Sequence, residues 1–444
     1  MENNTLKYFN QITKIPRESG NEAGIVDFLQ DFAKQHNFEY CKDKNKNIII
    51  FKNKNCKNKI ILQAHTDMVC VSNNSNFDFQ KQPIKTKING DILSAQNTTL
   101  GADNGLGVSA ILSLLCEDLP LGMVAIFTSE EETTMNGAKT VDKKYFCANN
   151  LVSFDGDNSN TIEIASAGIV QADVKLCFKK YKNIGETYKI TISNLTGGHS
   201  GSDIDKNRTN AIKFCANLAQ KYDAKIISLC GGTKSNAIAN SACMLVQMTC
   251  KTDIEKTIPE PDAKLEVEYI GKQQADVFGK DFTSFLCEVK HGVLERYPDG
   301  FVKTSQNIAI VDTDKNLLIF SLRSSNKQSE QYHLKQFEKF VKSYNCKMEN
   351  VQTNPFFETD PKCELVKNLQ KSYQNLFDDI PQLKRVHAGL EGGVFVQKNP
   401  KLNIAVLGFD IWDMHSPNER VSLKSVDKIY LWAYHFLKDY SKQH

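Results

Sequence analysis

No stretch of this chain is apolar for long enough to cross a bilayer, which argues against a membrane-spanning helix. The opening residues, MENNTLKYFN, lack the basic segment and apolar core of a secretion signal, so the expected compartment is the cytoplasm. An excess of either charge is also missing: 55 Lys and Arg stand against 52 Asp and Glu, a formal net charge of +3. So even a balance argues against a basic nucleic-acid-binding surface, and neither a nucleic acid nor a membrane is expected as a partner. The 13 cysteines include no CxxC pair, are odd in number and are scattered through a long chain. That is not the framework of a small secreted domain. Free thiols acting as small apolar fillers fit better, with Cys70 set apart by its nearness to a motif below. No internal repeat is evident.

What is present is an ordinary globular composition, 41% hydrophobic and 24% charged, in 444 residues. That length exceeds one ordinary core and predicts two domains with room for a buried site. Residues 19–36 open with cap-type side chains and set Ile25, Phe28, Leu29, Phe32 and Ala33 on one helical face. Short apolar runs at 48–51, 60–64, 124–127, 151–154 and 404–407 read as buried strands, with helical patterns such as 106–115 among them. This predicts an α/β domain. The middle of the chain alternates in strand fashion at 188–192, 245–249 and 265–269, with helical stretches at 211–221 and 334–344, and reads as an inserted α+β domain. The expected division is a catalytic domain over 1–184 and 359–444, with a mixed sheet, interrupted by a lid or dimerisation domain over 185–358.

Metal-type side chains follow four of the expected strands: His65 and Asp67, Glu130 to Glu132, Asp155, and His415. In open α/β sheets the carboxyl ends of the strands are where ligands bind. Asp103, at the start of a helix in TLGADNGLG, adds a fifth element. Taken singly each has a plain structural alternative as a polar turn, an acidic loop or an N-cap. Together they form a set of oxygen and nitrogen donors suited to zinc or a similar divalent ion. Hydrolysis of a peptide also requires a proton shuttle. If Glu132 binds metal, the adjacent Glu131 stays free to take a proton from water and pass it to the leaving amine. Asp67 is placed to orient the imidazole of His65. In TGGHSGSDI the glycines permit a tight turn that would project His199 from the inserted domain, either as a surface residue or as a cap on a developing oxyanion when domains or subunits come together.

The ordered motifs ITKIPRESGNE, QAHTDMV, TTLGADNGLG, TSEEETTMNGA, SFDGD, GGHSGSDI, GGTKSNAI, SLRSS, HAGLEGGVF and MHSPNERV run nearly end to end. In them the chain resembles the aminoacyl-histidine dipeptidases, also called Xaa-His dipeptidases or bacterial carnosinases, a family of co-catalytic zinc metallopeptidases. The resemblance implies two zinc ions per subunit, with manganese or cobalt as other occupants of such donors. His65 and Asp155 would hold one ion, Glu132 and His415 the other, and Asp103 would bridge them. Glu131 would act as general base on a water bridging the pair, and His199 would polarise the substrate carbonyl, supplied in relatives by the other half of a homodimer. Asn236, Arg323, His387 and Glu391 would line the substrate side. The implied reaction is hydrolysis of short peptides, Xaa-His in particular.

Some positions depart from the family pattern. Thr134 stands where a glycine is usual, Ala239, Asn240 and Ser241 replace Pro-Arg-Glu, and Asn207 replaces a common glycine. The base and the ligands survive, while substrate selectivity is open. The competing readings are a broader aminopeptidase, tripeptidase or acylamino-acid deacylase of the same superfamily, and an inert scaffold. The latter has no physical need for a free base at Glu131. His36, His291, His333, His435 and His444 fall in no motif.

Overall fold

The computed structural model describes residues 3–249 and 254–442, so His444 lies outside the described residues. Two compact units divide the chain: Met1–Ala165, Phe357–Arg385 and Leu390–His444 form the first, and Ser166–Phe356 with Val386–Gly389 the second.

Among the described residues the first unit is built on an eight-stranded sheet. Its order is Glu39–Lys42, Ile48–Lys52, Gly122–Thr128, Lys59–His65, Asn150–Gly156, Asn403–Gly408, Thr161–Ala165 and Gln382–Arg385. The four strands from Gly122–Thr128 to Asn403–Gly408 in that order are parallel, with antiparallel neighbours at both ends. A parallel strand covered on both faces must be apolar throughout. Gly122–Thr128 is buried at every position, and Ile60 and Leu62 enter one apolar cluster while Ile61 enters another, on the opposite face. The helices Thr5–Ile12, Ala102–Cys116, Glu364–Phe377 and Leu423–Tyr440 supply the larger cluster. Trp432 is fully buried there, its indole N–H donating to the Leu369 carbonyl at 3.0 Å. A small sheet of Ile411–Trp412, Arg420–Ser422, Ile92–Ala95 and Thr86–Asn89 brackets the loop that carries His415.

Among the described residues the second unit holds a nine-stranded antiparallel sheet with the helices Ala211–Lys221, Lys280–Glu288 and Lys327–Ser343 contributing to its core. Its members include Gly168–Lys175, which pairs with Leu317–Ser324 and Lys347–Asn354. A boundary at residue 184 would therefore cut this sheet, since 184 falls inside the strand Lys180–Ser193. The chain leaves the first unit at Ala165, where the fully buried strand Thr161–Ala165 gives way to a strand that is buried only at alternate positions. The helix expected over 19–36 starts only at Ala23, because Ser19 turns its hydroxyl to Asp67 (2.7 Å) and Gly20 takes φ +91°. The strand expected over 245–249 is Ala242–Gln247, and the helix expected over 334–344 is Lys327–Ser343, begun by an Asn326 cap on the Ser329 amide.

Candidate active site

The parallel register aligns His65 with Thr128 at the carboxyl ends of neighbouring strands. The polar loops that follow open on one edge of the sheet, as the strand pattern predicts. There the structure brings together the five expected donors. His65 Nε2 lies 3.0 Å from Asp103 Oδ1 and 3.2 Å from Asp155 Oδ1. His415 Nε2 lies 3.1 Å from Asp103 Oδ2 and 3.1 Å from Glu132 Oε1. The two oxygens of Asp103 thus face two different groups of donors. Donor atoms of His65, Asp103 and Glu132 all fall within 4.8 Å of one another.

These separations fit bound metal. Ligands at the ~2.0–2.1 Å typical of zinc–nitrogen and zinc–oxygen bonds stand about 3.3 Å apart around a tetrahedral ion. Glu132 Oε1 is buried and makes no aligned hydrogen bond, although His415 is close, so both atoms are available to a common cation. The electrostatics agree. Burial alone would lower the pKa of His415, yet Asp103 and Glu132 hold it up at about 11, and acidic neighbours likewise raise His65. Burial opposes ionisation of Asp103, but His415 and His65 keep it well below the usual carboxylate range. A cluster this acidic demands positive charge, from protons or from metal. Imidazole nitrogen and carboxylate oxygen suit zinc, and also manganese or cobalt.

Asp103 does not sit in regular helix. Ala102–Cys116 is non-helical at Asp103 (φ −79°, ψ 113°) and Asn104, and the Asp103–Asn104 peptide is cis. The Asn104 amide group donates to Asp155 Oδ1 at 2.9 Å. Asp67 is fully buried and faces His65 Nδ1 at 3.4 Å. It also accepts from the amides of Glu131 (3.1 Å) and Glu132 (3.2 Å), so it ties the histidine to the acidic loop. Glu131 is half-buried, and among the described residues its carboxyl makes no hydrogen bond. Burial, then Asp155, Glu132 and Glu391, push its pKa well above the ordinary value, with His65 opposing. Glu391 lies in the same unit, 2% exposed, and accepts from Gln63 (2.6 Å) and Thr128 (2.7 Å) through Oε2. Its Oε1 is buried without a partner, and burial pushes its pKa up to about 8. Cys70 is only half-buried, but desolvation pushes its thiol up to about 12, which keeps it protonated at neutral pH.

His199, Arg323, His387 and Asn236 belong to the second unit. Gly197 (φ +59°) and Gly198 (φ +127°) make the turn that presents His199. His199 Nδ1 accepts from the amides of Gly201 (3.3 Å) and Ser202 (3.2 Å), leaving Nε2 as its other ring nitrogen. Arg323 Nη2 is 3.3 Å from that Nε2. Arg323 is 5% exposed, burial lowers its pKa to about 10, and among the described residues no carboxylate pairs with it. His387 accepts or donates at Ser305 Oγ (2.8 Å) through Nε2 and is kept neutral by burial and by the charge of Arg323, its pKa falling to about 3. Asn236 is exposed, and its backbone carbonyl accepts from the Ser200 amide (2.9 Å) beside His199.

Residues 61–439 match Peptidase family M20/M25/M40. The chain belongs to this family. It is 29% identical to the cytosol non-specific dipeptidase of Escherichia coli (strain K12), over 97% of this chain and 96% of that protein. The aminoacylhistidine dipeptidase of Vibrio alginolyticus shares its structure with a TM-score of 0.81 at 26% identity, covering 98% of this peptidase and 96% of that chain. A tripeptidase from Staphylococcus aureus shares the fold alone, with a TM-score of 0.60 and 16% identity over 99% and 98% of the two chains. The chain is thus a hydrolase of the metallopeptidase class.

Sequence reasoning assigned no role to Arg17, Ser19, Asn104 or Glu419, all of which touch the loops of this site. Arg17 and Ser19 stand in ITKIPRESGNE and Glu419 in MHSPNERV, and their place in these motifs was the one signal the sequence offered.

Proposed function

We propose that this peptidase is a cytoplasmic dipeptidase that hydrolyses dipeptides, Xaa-His among them, and works as a homodimer with two zinc ions per subunit. The observation that carries the reading is Asp103, whose two oxygens face His65 and Asp155 on one side and His415 and Glu132 on the other. Two divalent ions held by these residues would polarise the scissile carbonyl and lower the pKa of the attacking water. The chain's own groups do the rest. Glu131, unliganded beside Glu132, takes the proton from the attacking water and delivers it to the leaving amine. Its raised proton affinity suits it to both halves of that transfer. Asp67 fixes the ring of His65 and the backbone of the Glu131–Glu132 loop at once. His199 has the task of polarising the substrate carbonyl, supplied by the other half of the dimer. Arg323, a buried cation that pairs with no carboxylate among the described residues, is the second unit's candidate to bind a substrate carboxylate. The likeness to a dipeptidase described as non-specific supports a range of dipeptides wider than Xaa-His alone.

The test is hydrolysis of a panel containing β-Ala-His, several Xaa-His and Xaa-Leu pairs and a tripeptide, by metal-depleted protein with and without zinc. Zinc-restored cleavage of dipeptides is expected. Preference for the tripeptide would move the chain to the aminopeptidase reading, and inactivity with every divalent ion would overturn the hydrolytic role. Sedimentation at micromolar concentration checks the dimer.

A further inference from the structure

Three loops of the first unit carry metal-type residues: 65–67, 100–103 and 413–419. Two buried charged side chains, neither of them a donor to the proposed ions, stitch these loops together. Glu419 is 2% exposed and accepts from four consecutive backbone amides. Its Oε2 takes Leu100 (2.7 Å) and Gly101 (3.0 Å), and its Oε1 takes Ala102 (2.8 Å) and Asp103 (3.4 Å). Arg17, also 2% exposed, donates through Nη1 to the carbonyls of Thr66 (3.0 Å) and Asp67 (2.9 Å) and through Nη2 to the carbonyl of Gly101. Each residue therefore spans two of the three loops.

Local sequence makes room for this arrangement. Gly101 takes φ +68°, and a Cβ there would lie 2.4 Å from Arg17 Nη2 and 2.7 Å from Met68 Sδ. A Cβ at Gly105 would lie 2.7 Å from the same nitrogen. The TLGADNGLG glycines are thus spaces for a guanidinium as well as turn formers. Burying two charges is costly unless every donor and acceptor is met. Here the carboxylate is met by backbone N–H groups and the guanidinium by backbone carbonyls, so neither is spent on a side chain that could move.

We propose that Glu419 and Arg17 are positioning residues for the metal centre: they fix the loop of Asp103 against those of His65 and His415, so that its two carboxylate oxygens face both donor groups before any ion arrives. A bridging carboxylate must satisfy two ions at once, and a shift of a few tenths of an ångström weakens both bonds. Four amides on one carboxylate hold the backbone of residues 100–103 against such a shift. This inference rests on the two-ion reading above.

The experiment is a zinc titration of metal-depleted wild type, Glu419→Gln and Arg17→Lys against a chromophoric chelator, with near-UV circular dichroism of each metal-free protein. Glutamine offers an N–H2 to two of the amides that need an acceptor, and lysine cannot reach the Thr66, Asp67 and Gly101 carbonyls as a fork does. The expected result is two ions for wild type and roughly a 10–100-fold weaker affinity in both variants, with native-like metal-free spectra. A purely structural role would disturb the spectra or the unfolding temperature and leave the affinity of the folded fraction alone. Affinity within twofold of wild type in a folded variant overturns the inference. Should both variants fail to fold, hydrogen exchange of metal-free wild type decides: protected amides at 100–103 support preorganisation, and exchange at open-loop rates overturns it. Wild type that takes up no zinc overturns the metal reading itself, and this inference with it.

Discussion

Glu131 and Asp103 stand close together in the same acidic site, yet their replacement should produce opposite results. Glu131→Gln preserves shape and removes the proton acceptor, so kcat should fall by about 10²–10⁴ while bound metal, measured by atomic absorption, stays at two ions. Strong residual turnover would assign the base elsewhere. Asp103→Ala removes the carboxylate shared by both donor groups, so the protein should lose metal from the pair, and full occupancy would disprove the bridge. Glu131 was legible because its acidic loop follows an apolar run, and Asp103 because TLGADNGLG sets a carboxylate at the start of a helix beside that pattern of strand ends. Arg17 and Glu419 were not legible. Their partners are backbone groups 84 and 319 positions away, and contacts to the main chain leave no pattern of residue types behind.

Elements with a clear period came out as expected: 48–51, 60–64, 124–127 and 151–154 are strands, and 211–221 is the helix Ala211–Lys221. Burial on both faces selects continuous apolar runs, and a helix packed on one face selects a stripe, so each leaves a trace in the sequence. The boundary near Ala165 leaves none. Gly168–Lys175 follows the first unit's sheet after a gap of two residues, and its partners, Leu317–Ser324 and Lys347–Asn354, assign it to the second. Helix ends depend on single caps, and Asn210 is one whose loss can be measured. Its Oδ1 accepts from the amides of Ile212 (2.9 Å) and Lys213 (3.2 Å), and its Nδ2 donates to the Ile308 carbonyl at 2.8 Å. Asn210→Ala removes the cap and leaves a buried carbonyl unmet, so the second unit should lose about 1–3 kcal/mol in urea denaturation with metal content unchanged. A loss below a few tenths of a kcal/mol would mean that water or another group replaces both functions.

Over the whole molecule, the proposed metal donors lie in the first unit, while the second holds two histidines whose pKa values are strongly lowered, so the second unit has a pH dependence of its own. Burial lowers the pKa of His291 to about 4, with the charge of Lys213 adding to it, and its Nδ1 accepts from the Ile308 amide at 3.4 Å. His387 falls to about 3 for the same first reason, helped by Arg323. In the unfolded chain both take a proton near pH 6.5, whereas in the fold both stay neutral to far lower pH. The stability they contribute is therefore complete above pH 6.5 and is lost progressively as the pH falls towards 4 and then 3. Urea midpoints for the second unit, read by hydrogen exchange of its strands, should decline from pH 7.5 to pH 5 in metal-free protein. His291→Asn keeps an acceptor for the Ile308 amide and removes the titrating group, so it should flatten part of that decline. A midpoint independent of pH across this range, or a slope unchanged by the substitution, would mean that the folded histidines take up protons as readily as the unfolded ones and that their burial is relieved by water.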